Sequence, residues 1–173
     1  MSLFPEPLFV LDTETTGFPG QSHTRVIEFA GVLLSEDGVI IESYSSLICP
    51  DVLDERAAGA LKVNKIEADD LRCAYPTVVV SDRIWDLYLS WGSPLVTSYN
   101  VRFDRAMCDL MCLSSFRWGN CIMLEAQKDL GLPKWPKLAA AAELYGIEVV
   151  GDPHRALTDA VTAAKIVVAM ESK

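Results

Sequence analysis

The sequence predicts an α/β fold, a mixed sheet covered by helices on both faces, and three features carry that expectation. Leu8 to Leu11 is an apolar run of strand type near the start of the chain. Two β-rich runs follow, Val26 to Leu34 and Val39 to Ile48, and the Asp37-Gly38 pair in the linking Ser35-Glu36-Asp37-Gly38 marks an antiparallel hairpin. With the first strand they make an N-terminal antiparallel three-stranded unit. Beyond them strand-like and helical segments alternate, as they do where helices flank a sheet with parallel strands. Residues 1–173 contain no internal repeat, low-complexity segment or linker, and their length suits one domain with a substantial core.

The first strand runs into Asp12-Thr13-Glu14, a Thr15-Thr16-Gly17 turn and a polar loop from Phe18 to His23. Side chains two apart on a strand share a face, so Asp12 and Glu14 point the same way. Two carboxylates about 4 Å apart repel by roughly 4 kcal/mol at an effective dielectric near 20. A fold sustains that cost when a cation sits between them, which makes the pair a candidate divalent-metal site. The plainer alternative is an acidic strand end before a loop.

Asp51 to Ala74 is mixed in pattern, with a short helix expected over Asp54 to Leu61. Val80, Ile84, Leu87, Tyr88 and Trp91 recur at helical spacing; Thr77 or Ser81 can cap that helix, and Gly92-Ser93-Pro94 ends it. Leu95 to Ser98 is a short buried strand. Asn100 begins a helix whose apolar face is expected to carry Phe103, Met107, Leu110 and Met111. Cys121 to Leu124 is a short apolar piece, followed by a loop around Gly131 to Pro136. Lys137 to Tyr145 is helical by propensity and stops at Gly146, and a last helix spans roughly Arg155 to Met170.

A net charge of -9 argues against a broad basic surface for nucleic acid. It does not exclude a nucleic-acid enzyme, because bound divalent ions would offset part of it. The five cysteines, at 49, 73, 108, 112 and 121, contain no Cys-x-x-Cys pair and complete no zinc set, so buried free thiols in a reducing, cytoplasmic setting are expected. The N-terminus lacks the basic region of a signal peptide, and no apolar run reaches the ~18 residues of a membrane span.

Two further acids stand out. Asp104 falls in the first turn of its helix, just past the Leu95–Ser98 strand, where α/β folds place their sites; a first-turn acid also simply suits the helix dipole. Asp159 sits among Ala156, Leu157, Ala160, Val161 and Ala163 on a helix with little polar face, and such a carboxylate needs a cation. His154, five residues earlier, lies about 140° away from Asp159 on a continuous helix. The two converge only if His154 is still in the loop, as Asp152-Pro153 suggests; read alone, it is a loop histidine at a helix start.

Asp12-x-Glu14, Asn100-x-x-Phe103-Asp104 and His154-x-Ala156-x-x-Asp159, in that order and over about residues 8 to 168, resemble the DEDDh, or DnaQ-like, family of 3′→5′ exonucleases. The resemblance implies a ribonuclease H-like fold with the first strand between the hairpin and later parallel strands. It makes Asp12, Glu14, Asp104 and Asp159 metal-binding carboxylates for two divalent cations, Mg²⁺ or Mn²⁺, and His154 the general base. It also places Thr15, Thr16 and Phe18 against the 3′-terminal nucleotide and makes Asn100 and Phe103 substrate-binding. The expected reaction releases nucleoside 5′-monophosphates from single-stranded 3′ ends, DNA first, with an RNA-directed enzyme as the alternative. A polymerase partner is implied only if the role is proofreading. Readings of another class are a nucleic-acid or polymerase-associated module without catalysis, and a structural metal site. Where many relatives carry a His-Gly-Ile-like turn, this chain reads Asn64-Lys65-Ile66. The basic residues Arg25, Arg102, Arg105, Lys134, Lys137 and Arg155 are candidate phosphate contacts for which surface solvation is the default, and Glu28, on an apolar strand, has no assigned role.

Overall fold

The computed structural model describes residues 3–172. Its sheet is built on β1 (Leu8–Thr15), which pairs antiparallel with β2 (Val26–Leu34) on one side; β2 pairs antiparallel with β3 (Ile40–Cys49). The hairpin turns where expected: Gly38 takes φ +78° and donates its N–H to Ser35 O, and the pairing shifts register at Leu33/Leu34. On its other side β1 pairs parallel with β5 (Leu95–Ser98), and a two-residue β4 (Tyr75–Pro76) adds to β3, giving the order β4-β3-β2-β1-β5. β1 thus lies between the hairpin and the parallel side, as the resemblance implied. Beyond β5, among the described residues, that side adds a single parallel bridge, Val96 to Trp118.

Alternation along β1 sends its apolar residues to two cores. Phe9 and Leu11 join Phe29, Leu33, Val80, Ile84, Tyr88 and Met107, under α3 (Thr77–Ser90) and α4 (Val101–Leu110). Leu8 and Val10 join Val32, Leu34, Ala141, Ala142, Ala163, Ala164 and Ile166, under α5 (Ile122–Asp129), α6 (Leu138–Leu144) and α7 (Ala156–Glu171). The alanines of α7 leave no bulk toward the sheet, so this helix packs on β1 and β2. Gly31 is required where β2 passes β1, because a Cβ there would stand 2.3 Å from the Phe9 ring. A smaller cluster, Ile27, Ile66 and Leu71, lies with α1 (Ala58–Asn64) and α2 (Ala68–Arg72).

Several sequence expectations are corrected. Neither Thr77 nor Ser81 caps α3: Pro76 occupies the cap position and both side chains lie inside the helix. The helix expected from Asp54 is a 3₁₀ turn, Glu55–Ala57, with Asp54 accepting from the Arg56 N–H, and continues as α1 to Asn64. Cys121 to Leu124 does not stay an isolated apolar piece but leads into α5. Leu110 is 55% exposed because α4 ends there; Met107 and Met111 are buried and Phe103 half-buried. All five cysteines are free, yet only Cys108 is buried, and Cys73 and Cys112 are exposed. Among the described residues no helix is long and apolar enough to cross a membrane.

Candidate active site

β5 stops at Ser98, opposite Leu11, and the chain turns away into α4, so the last residues of β1 have no parallel neighbour. That gap opens a cavity of about 630 Å³ at the carboxyl ends of β1 and β5, the usual place for a site in an α/β sheet. Asp12, Glu14, Asp104 and Asp159 all line it.

The sheet alternation decides how each acid arrives. Asp12 and Glu14 share parity with Leu8 and Val10 and so face α7, which brings Asp159 in its first turn. One carboxylate oxygen from each of Asp12, Glu14 and Asp159 lies within 4.8 Å of the other two. Thr13 points to the opposite face, where its hydroxyl donates to Asp104 Oδ1 at 2.8 Å. Asp104 therefore stands beside the three-acid cluster and comes from the α4 side of the sheet.

These groups hold their protons tightly. Burial, then Asp104, Glu14 and Asp159, raise Asp12 well above the usual carboxylate range. Burial and the charges of Asp159, Glu28 and Asp104 push Glu14 up to about 8. Burial raises Asp104 to about 6, with the Ser98 and Thr13 hydroxyls drawing it back. Burial also raises Asp159, although His154, through its charge and its backbone N–H, lowers it. A cluster of oxygen-only donors that resists ionising on its own fits a hard divalent cation, which would relieve the repulsion. Asp12, Glu14 and Asp159 can each offer it a ligand oxygen.

Of the other expected site residues, Thr15, Thr16, Phe18, Asn100 and Phe103 all line the cavity. The two threonine hydroxyls are already engaged, Thr15 donating to Gly17 O and Thr16 to His23 O while accepting from the Arg25 N–H. They shape the turn. Phe18, 70% exposed, is the free element. His154 is in the loop before α7, on left-handed backbone (φ 62°) that histidine tolerates better than most residues. Its side chain is exposed and is not part of the cavity wall.

Glu28 is the residue whose importance the sequence left open. It is 2% exposed, opposite Glu14 in the β1–β2 register. It accepts from Arg155 (Nη2 to Oε1, 2.7 Å) and from the Ala156 N–H (3.0 Å), pinning the start of α7 to the sheet. Arg155 is thus paired with a buried carboxylate while its side chain stays partly exposed. The signal was a charge on a fully apolar strand, which demands a partner. Asn64, in place of the family's turn, is buried, lines the cavity and lies 3.4 Å from Thr15 O through Nδ2.

The sequence model of the exonuclease family of the RNase T type matches residues 9–167. No curated protein matches the chain in sequence. Among solved structures, a 3′-exonuclease described for 3′-end specific recognition of a histone mRNA stem-loop is similar with TM-score 0.77 and 20% identity, over 96% of this chain and 63% of that one. E. coli exonuclease I in complex with a dA16 oligonucleotide gives 0.77 and 18%, over 97% and 41%. Cell-death related nuclease 4 gives 0.74 and 18%, over 97% and 64%. The chain spans less than two thirds of the length of each of these three. The fold is the one these structures share, and with the family match across nearly all of its length the chain belongs to the DnaQ-like exonuclease family of the ribonuclease H-like superfamily.

Proposed function

We propose that the protein is a metal-dependent 3′→5′ exonuclease of the DEDDh type, acting on single-stranded ends and releasing nucleoside 5′-monophosphates. The observation that carries this is the convergence of Asp12, Glu14, Asp104 and Asp159 on one cavity beside the exposed Phe18. Two divalent ions held by these acids, Mg²⁺ or Mn²⁺, would supply the charge stabilisation that phosphodiester hydrolysis needs. Phe18 packs on the terminal base, and Asn100 and Phe103 border the same nucleotide. His154 turns its exposed ring toward the cavity once substrate is seated and takes the proton of the attacking water, while the 3′-oxygen of the preceding nucleotide leaves. Its loop position at the head of α7, next to Asp159, supports that role.

Similar structures hold a DNA oligonucleotide in one case and are described for an mRNA stem-loop in another, so the fold accommodates either sugar. DNA is the substrate expected first. The test is degradation of 3′- and 5′-labelled single-stranded DNA and RNA of one sequence, with Mg²⁺, Mn²⁺ or chelator, alongside Asp12→Ala. Stepwise, metal-dependent loss from the 3′ end that Asp12→Ala abolishes is the expected result. Activity that survives Asp12→Ala, or cleavage from the 5′ end, overturns it.

A further inference from the structure

A second concavity, about 840 Å³, adjoins the catalytic cavity, and Asn100 lines both. Its walls carry Arg102 and Arg105 from the exposed side of α4, Leu124 from α5 and Trp135 from the loop before α6. Trp135 is 61% exposed and Leu124 50%.

The two arginines differ from the other arginines of the described chain. Arg25, Arg56, Arg72, Arg117 and Arg155 are tied in ion pairs, and Arg83 lies over the Tyr75 ring. Arg102 and Arg105 have no such partner among the described residues, although Asp109 lines the same groove. In a chain of net charge -9, two unpaired guanidinium groups side by side next to four buried or half-buried acids are a local exception. The aromatic is also firmly mounted: Pro136 O accepts from Tyr99 Oη at 2.8 Å, fastening the Trp135 loop beside Asn100, and Leu132 O accepts from Gln127.

We propose that this groove carries the nucleotides that follow the 3′-terminal one, with Arg102 and Arg105 on their phosphates and one base stacked on Trp135. Guanidinium groups in a row and an exposed ring, with no base-edge donors required, are the chemistry of sequence-tolerant single-strand binding. Continuity with the catalytic cavity through Asn100 gives the strand its direction, from the acids outward along α4. The inference rests on the proposed exonuclease function for that direction, but the groove's affinity does not depend on turnover.

Two measurements separate them. Binding of a fluorescent twelve-nucleotide single strand is followed by polarisation in chelator, where nothing is hydrolysed, over a range of salt. Arg102→Ala/Arg105→Ala is expected to weaken binding at least about tenfold and to reduce the slope of log K against log salt by about 1.4, two single-strand phosphate contacts. Trp135→Ala is expected to weaken it about tenfold with the slope unchanged. In the second measurement, KM for that strand rises in both variants while kcat on a chromogenic nucleotide ester, which has no further nucleotides to bind, stays at the wild-type value. Wild-type binding retained in both variants, or no binding by the wild type, overturns the groove. Binding that behaves as expected without hydrolysis of any substrate overturns the exonuclease reading and leaves the groove standing.

Discussion

Two helices deliver acids to the cavity, and they are secured in opposite ways. α7 is locked to the sheet: its alanines lie flat on β1 and β2, and Arg155 at its head is held by the buried Glu28. α4 presents Asp104, which accepts from the Thr13 hydroxyl, while Arg102 and Arg105 on its exposed side bind nothing among the described residues. The difference lies in the acid that each arginine meets. A carboxylate sealed in a strand consumes its cation for structure, whereas an arginine without one stays available to an incoming phosphate. Similar residues on the two sides of one site thus do different work.

The sharpest test of this division is His154, which rides on the locked wall. His154→Ala is expected to lower turnover by roughly 10²–10⁴-fold, the scale of a lost general base, with affinity for single strands and for Mn²⁺ unchanged. Turnover within a factor of a few of the wild type removes His154 from proton transfer and leaves the α7 wall a purely structural one.

The arginines break the comparison directly. Arg155→Ala strands Glu28 in the core with only the Ala156 N–H, and the expected loss is about 3 kcal/mol, which for a chain of this length lowers Tm by roughly 6–12 °C. Arg102→Ala is expected to fall within about 0.5 kcal/mol of the wild type. Equal shifts in thermal unfolding would show that the two cations are held alike.

The acids themselves make a third contrast, in pH. Glu14 is held near 8 in the folded chain against about 4.5 free. Between those values the folded state binds more protons than the unfolded one, so the stability of the metal-free protein falls as pH rises through that window. Glu14→Gln removes the penalty: roughly 4 kcal/mol of added stability is expected at pH 8 and almost none at pH 4, while activity is lost. Saturating Mg²⁺ should likewise raise Tm more at pH 8 than at pH 5. A Tm that climbs with pH in the metal-free wild type contradicts the buried-acid account.

Local patterning made much of the fold legible. The hairpin, β1, β5, α3, α6 and α7 each follow from apolar period and a Gly, Pro or Asp-Gly punctuation that acts within a few residues. The part that stayed hidden depends on what meets across the sheet. Nothing local reveals that α4 stops before Leu110 can be covered, or that Cys121 begins a helix. The same holds for the site. Asp12, Glu14, Asp104 and Asp159 are visible through motif order, and their meeting at one cavity is a matter of β5 ending four residues before β1 does. The Glu28–Arg155 pair spans 127 residues, a separation at which sequence shows two charges and no reason to join them.

The turn between the walls belongs to neither, and it gives the smallest and cleanest effect. Phe18 is 70% exposed, so Phe18→Ala should leave stability within about 0.5 kcal/mol of the wild type. Loss of a stacked terminal base is expected to raise KM for a single strand by about tenfold. Gly17→Ala separates the ring from its mounting. A Cβ at Gly17 would stand 2.6 Å from Gln21 Oε1, the atom that accepts the Phe18 N–H at 2.9 Å, and 2.8 Å from Thr24 Oγ1, which donates to Phe18 O. Both restraints on Phe18 must then shift while its ring is kept. A rise in KM with Gly17→Ala that approaches the Phe18→Ala value means that the ring works only where the turn holds it; an unchanged KM means that the ring finds the base by itself.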